Sequence, residues 1–408
     1  MNSIKDFKIE NGILKEYTGH DEVVVIPDEA YYIGQYAFEN CNTLKEVIIC
    51  SNVIGINAFS NCESLQRVTM SYNVTAIGSN AFSNCSNLKE VTISNSVSYI
   101  GEDAFRNTLF IKEYPNDFIV LGNGILYKYK GNDDTVTIPD SVTTICKEAF
   151  FDTKTLKSVT ISNSVTTIDD WAFWDCKNLQ EVVIPSSVTY VGNRTFNGCT
   201  ELKKITLPSS VTHIGSGVFC NCTKLDEVSI ASGIATIDHK FFYGCRSLKK
   251  VTLPDSVTTI ESQAFRECKS LSIINVPKSV TTIGEDAFEN TPFILQSCDT
   301  FIVLGNGILY RYNGFDTRLS IPNSVTTISS YVFTDCEDLE VVTIPEGVTT
   351  IESCAFTYCA NLQSISIPNS VTKIGIDAFN GSNVIVHCHA NSYAEQYAKE
   401  NQMEYILV

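Results

Sequence analysis

Leu179-Gln-Glu-Val182-Val-Ile184-Pro185-Ser-Ser-Val188-Thr-Tyr-Val191-Gly192-Asn-Arg-Thr195-Phe196-Asn-Gly-Cys199 is one period of a repeat that fills this chain. The cysteines 176, 199, 222, 245 and 268 follow one another at intervals of 23 residues. Fourteen copies can be counted, with phenylalanine at 38, 59, 82, 105, 150, 173, 196, 219, 242, 265, 288, 333, 356 and 379. A copy two residues short contains Val53, which is followed directly by Ile54 and Gly55. A period held this long identifies a stacked-repeat architecture. Val182 and Ile184 flank a residue of the opposite face, as on a short strand. Pro185 lacks an N–H and ends that strand. Gly192 supplies the turn. Val191, Thr195, Phe196 and Cys199 then fall at the spacing of a short helical segment. Each unit is expected to be a strand, a turn and one or two helical turns. One unit alone cannot bury its apolar face, so neighbours must share a continuous core.

Composition bounds the function. The 408 residues carry 46 acidic and 29 basic side chains, a net charge of −17, with 44 % hydrophobic residues. That excess of negative charge argues against nucleic acid, whose phosphates need a basic surface, and against anionic membranes. No apolar run approaches the eighteen or so residues of a membrane span, and the first residues contain no apolar core of a signal peptide.

The unit Ile-Pro-x-Ser-Val-Thr-x-Ile-Gly-x-x-Ala-Phe-x-x-Cys, clear at 136–153, 159–176, 205–222, 251–268 and 342–359, resembles the BspA-type leucine-rich repeat family. The resemblance spans roughly residues 22 to 385. It implies an α/β solenoid, a right-handed superhelix with a parallel sheet on its concave side, here of about 14 repeats of 23 residues. It also implies a function in binding: members include cell-surface proteins that bind other proteins or act in adhesion. A cell-surface or extracellular location follows from the resemblance, while the chain itself shows no leader or anchor, which leaves a cytoplasmic location open.

Two insertions interrupt the period and match each other. Phe118-Ile-Val-Leu-Gly-Asn-Gly-Ile-Leu-Tyr-Lys-Tyr-Lys-Gly131 recurs as Phe301 to Gly314, and Phe7 to Gly19 is a weaker third copy. Asn-Gly between β-rich runs signals a hairpin. The expected organisation is a single solenoid: an N-terminal hairpin cap (1–21), repeats (22–110), a hairpin (111–132), repeats (133–293), a hairpin (294–315), repeats (316–382) and a C-terminal cap (383–408). Ligand loops are the alternative reading of the inserts.

Ten of the sixteen cysteines occupy the last apolar column of the repeat, where Thr108, Thr153, Thr291 and Ser382 stand in the other copies. A column that accepts Thr and Ser is a small buried position whose hydroxyl or thiol bonds the backbone, so reduced thiols are expected. Cys298 and Cys388 lie outside the repeats and are the candidates for exposure. His387-Cys388-His389 is the one metal-like cluster, but it lacks a third ligand. With no nucleophile elbow and no phosphate loop, neither a catalytic residue, a metal nor a cofactor is expected.

The outward strand residues are the candidate interaction surface. Glu181, Lys204, Glu227 and Lys250 alternate in sign over successive repeats, a pattern that also reads as cross-strand pairing. Trp174, in a variable column beside Trp171, is the best anchor candidate. These residues lead to a non-enzymatic, monomeric, protein-binding solenoid whose partner would be a host or extracellular-matrix protein. A structural spacer is one alternative. A carbohydrate- or ice-binding face built from the threonine rows is another.

Overall fold

The structure, a computed structural model, describes residues 4–408. Residues 1–3, the start of the expected N-terminal cap, lie outside the described residues. The chain is a parallel-strand β-solenoid of about 17 turns of about 23 residues. The count exceeds fourteen because hairpin-led coils add turns of their own. The chain divides into two compact units, 1–199 and 200–408.

Each coil contributes two strands. In the first unit the three-residue strand Thr135–Thr137 pairs in register with Ser158–Thr160, and that strand with Glu181–Val183. Central valines such as Val136 and Val159 point inward, and their neighbours outward. A two-residue strand follows on the next side, so that Thr144–Ile145 pairs with Thr167–Ile168. The second unit repeats the scheme, with Lys250–Thr252 beside Ile273–Asn275 and Thr259–Ile260 beside Thr282–Ile283. Pro185 accepts a bond from the Val188 N–H at 3.1 Å, so the proline that stops the strand also opens the turn after it.

The expected helical segment is not helical. From the glycine to the cysteine of each repeat, alternate N–H groups serve different partners. Ala58, Ser60 and Cys62 donate three residues back, to Gly55, Asn57 and Phe59. Asn57, Phe59 and Asn61 donate to Ser79, Ala81 and Ser83 of the next coil, at 2.8–3.0 Å. Half the donors thus leave the coil, and no i→i−4 ladder can form. The geometry requires two left-handed residues per coil, such as Asn57 and Asn61 at φ 54° and 59°. Asn and Asp tolerate that region better than most residues. The second of these positions holds Asn at 40, 61, 84, 107, 221 and 290, Asp at 152, 175 and 335, Gly at 198, 244 and 381, and in two coils Glu267 and Tyr358.

The phenylalanines stack face to face down the core. In the first unit Phe38, Phe59, Phe82 and Phe105 lie 4.6, 5.1 and 5.4 Å apart. In the second, Phe242, Phe265 and Phe288 are spaced by 5.3 Å. All of these rings are buried. The hairpins Phe7–Glu10/Ile13–Tyr17, Phe118–Leu121/Ile125–Tyr129 and Phe301–Leu304/Ile308–Tyr312 are antiparallel, and the second strand of each pairs in parallel with the coil that follows. They therefore join the sheet and do not stand off it as loops.

The helix Tyr393–Glu400 is capped by Ser392, whose hydroxyl accepts from the Glu395 N–H at 3.1 Å. The strand Ile385–Cys388 pairs with Tyr405–Leu407. Cys388 is buried, contrary to expectation, because it takes an inward position of that strand; Cys298 is exposed.

Candidate junction cleft and strand face

All sixteen cysteines are free thiols, and eight of the ten column members are buried in the core, Cys41 and Cys336 being half-buried. Cys62, Cys85, Cys176, Cys245, Cys268 and Cys359 each point the thiol at the phenylalanine carbonyl of the preceding coil, at 2.9–3.1 Å. Burial pushes the Cys176 and Cys359 thiols up to about 12. Thr108, Thr153 and Thr291 instead donate to the phenylalanine carbonyl of their own coil, at 2.7–2.8 Å. These threonines sit only where a run of repeats meets an insertion. Thr108 also accepts from the Ile111 N–H and so starts the short helix Leu109–Lys112.

The expected surface residues are placed as follows. Glu181, on the strand Glu181–Val183, is exposed and lies across from Ser158. Lys204 and Glu227 are exposed, in register, and form an ion pair at 2.5 Å. Lys250 is exposed across from Ile273. A second such row, Glu46, Arg67 and Glu90, closes two ion pairs of 2.8 Å. Val183 and Ile273, outward on the same kind of strand, are 52 % and 57 % exposed. Trp174 lies on another side of the coil, half-buried, between Trp171 at 5.6 Å and Phe151 at 5.3 Å. The threonine rows are tied into the ladder: the Thr166, Thr189 and Thr281 hydroxyls donate to the carbonyls of Thr143, Thr166 and Thr258.

The junctions are the places where this regularity stops, one within each unit. Phe105 and Phe288 end their stacks, and the next phenylalanines, Phe110 and Phe293, meet them edge-on at 5.3 and 5.5 Å. The hairpin supplies Tyr127 and Tyr310, nearly perpendicular to Phe105 and Phe288 at 81° and 83°. Each tyrosine hydroxyl accepts the N–H of that phenylalanine, at 3.1 and 3.0 Å, in place of a backbone carbonyl. Burial raises both phenols above their ordinary range.

The short strands on either side of a junction are not hydrogen-bonded to each other, and a cleft opens there. At the first junction it is about 40 Å³. Lys147 fills it, bonding Glu102 at 2.6 Å with its ammonium 4.0 Å from the Trp171 ring centre. The Glu148 carboxyl is pushed up by burial and by its neighbours Glu102 and Asp103. At the second junction the cleft is about 980 Å³, bordered by Glu285, Glu289, Tyr310, Arg311 and Tyr331. Sequence reasoning missed both clefts, although a self-alignment of the two insertions would have set Lys147 against Ser330. Among the described residues no group of three or more His, Cys, Asp or Glu side chains is arranged to hold a metal ion. No helix among them is long and apolar enough to cross a membrane.

Comparison with known proteins follows the repeat. Solved leucine-rich repeat proteins similar to this chain include one from Bacteroides ovatus, 25 % identical over 98 % of this chain and 97 % of that one, with a TM-score of 0.38. One from Eubacterium ventriosum is 24 % identical over 72 % of this chain and 91 % of that one, with a TM-score of 0.42. A leucine-rich cell-surface protein from Faecalibacterium prausnitzii is 26 % identical over 94 % and 92 %, with a TM-score of 0.33. No curated protein sequence matches the chain. The family model described as BspA type leucine rich repeat region (6 copies) matches residues 8–125, 121–248, 235–310 and 309–400. With nearly the whole chain matched, this protein belongs to the BspA-type leucine-rich repeat family.

Proposed function

We propose that the chain is a non-enzymatic, monomeric, protein-binding solenoid that acts at the cell surface or outside the cell, in adhesion to a host or extracellular-matrix protein. The observation that carries this reading is the outward strand face. Its residues stand in register from coil to coil, and it mixes exposed charges with half-exposed aliphatics such as Val183 and Ile273. Such a row of exposed side chains suits a protein surface better than a small molecule, which needs a concave pocket. Family membership supports the surface location by analogy, which is a weaker warrant than a site.

Surface plasmon resonance with immobilised fibronectin, laminin and collagen tests the proposal. Capture of at least one is expected, with loss in the variant Glu181→Lys, Lys204→Glu, Glu227→Lys, Lys250→Glu. Capture of none, or equal capture by the variant, counts against the strand face. Trp174→Ala, measured alongside, reports whether the aromatic patch contributes.

A further inference from the structure

The two junctions form a matched pair inside one chain, because Phe118 to Gly131 corresponds to Phe301 to Gly314. The same correspondence sets Glu102 against Glu285, Lys147 against Ser330, Trp171 against Cys354 and Arg106 against Glu289. At the first junction a carboxylate, an ammonium and an aromatic ring are packed together: Glu102, Lys147 and Trp171. At the second the carboxylate remains while the lysine and the ring behind it have become Ser330 and Cys354. The cleft is correspondingly wider there, about 980 Å³ against about 40 Å³.

Two other carboxylates at the second cleft are paired. Asp286 is paired with Arg266, and Glu352 with Lys373 at 3.0 Å. Arg311 donates from Nε to the neutral amide of Asn313 at 3.0 Å and keeps its positive charge at the cleft, in the place that Lys128 takes at the first junction. Glu285 and Glu289 have no ion-pair partner among the described residues. Tyr331 borders the cleft one position along from Ser330.

We propose that the second junction cleft binds a lysine side chain of a partner protein, its ammonium meeting Glu285 as Lys147 meets Glu102 in the first junction. The assignment deepens the protein-binding reading and rests on it. The first junction shows the pairing as a completed arrangement within this same chain, so the ligand chemistry is read from Lys147. A lysine fits better than an arginine, because the group it replaces is a compact ammonium on a flexible stem and not a planar fork. The volume left over accommodates the backbone on either side of that lysine, and Thr282 and Thr327 are among the polar residues that line it.

The test uses the full chain labelled at isoleucine methyls and a blocked peptide, acetyl-Gly-Ser-Lys-Ser-Gly-amide, followed by NMR titration. Shifts are expected at Ile283 and Ile308, which line the cleft. The norleucine peptide and the Glu285→Gln variant should each bind at least about tenfold more weakly. Ser330→Lys restores the residue of the first junction and should abolish binding, a gain of side chain that does not depend on Glu285→Gln folding well. Lys147→Ser should open the first cleft, so that Ile100 shifts as well. Equal affinity for the norleucine peptide, or an unchanged affinity in Ser330→Lys, overturns the proposal. Matrix-protein capture is read separately. Its absence with peptide binding intact removes the adhesion reading alone, and the reverse outcome removes the cleft alone.

Discussion

A coil inside a run of repeats and a coil at its end solve the same problem with different chemistry. Inside a run, the Phe59 N–H finds the Ala81 carbonyl, and the Cys85 thiol reaches back to the Phe59 carbonyl. At the end, the Phe105 N–H finds the Tyr127 hydroxyl, and Thr108 turns to its own coil. Every buried backbone group needs a partner wherever the stack stops, and the residue that supplies it must change when the neighbouring coil does. Regular positions therefore report architecture. The departures from them mark where the surface acquires a cleft.

The largest expected effect lies inside a run. Phe173 is fully buried, stacked at 4.8 Å on Phe150 and at 5.4 Å on Phe196. Phe173→Ala should cost about 3–5 kcal/mol, read by chemical denaturation. A loss below about 1 kcal/mol would show that coils relax around a missing ring and that stacking is not what holds them together. At a junction the stake is one hydrogen bond. Tyr127→Phe leaves the ring in place and the Phe105 N–H without its acceptor, so about 1–3 kcal/mol should be lost. An unchanged denaturation midpoint would mean that water replaces the phenol.

Smaller again is Cys85→Ala, which removes one thiol donor. About 0.5–1.5 kcal/mol is expected, and a cost equal to that of Tyr127→Phe would erase the distinction between interior and boundary coils. The thiols also make the fold sensitive to alkali. Burial raises Cys41, Cys146, Cys176 and Cys359 to about 12. In the unfolded chain they ionise near about 8.5. The folded state then holds protons that the unfolded state releases, so stability is full below about pH 8.5 and declines toward pH 12. Melting temperatures measured between pH 8 and pH 10.5 should fall, and a flat profile would contradict the burial of these groups. The least effect belongs to the strand face. Lys204→Ala breaks an exposed ion pair and should leave the melting temperature unchanged within error.

Much of this was legible in the sequence. The 23-residue spacing set the core columns, Asn-Gly marked the hairpins, and the exchange of Cys for Thr in one column pointed to a bond with the backbone. The turn side was misread. Val191, Thr195, Phe196 and Cys199 have helical spacing, but apolar periodicity is blind to where N–H groups go. The corrective signal was the recurrence of Asn, Asp or Gly just before the cysteine, as at Asn61, Asn84 and Gly198, where left-handed backbone was needed. Exposure of the strand residues Glu181, Lys204, Glu227 and Lys250 followed from two-residue alternation. Which of them pair did not, since that depends on register and reach. The junction cleft lay beyond a reading of single repeats, because Glu285 and Ser330 come from different coils on either side of a hairpin.

Free thiols that bond carbonyl oxygens make the fold indifferent to the redox potential around it. A disulfide-stapled chain has to meet an oxidant, and correct pairing limits how fast it matures. Here sixteen cysteines need no partner of their own kind. The chain can complete its fold in a reducing compartment and keep the same structure in an oxidising one, with only Cys298 fully exposed to oxidants. Passage between the two would reach Cys298 first and leave the eight buried sulfurs of the column as they were.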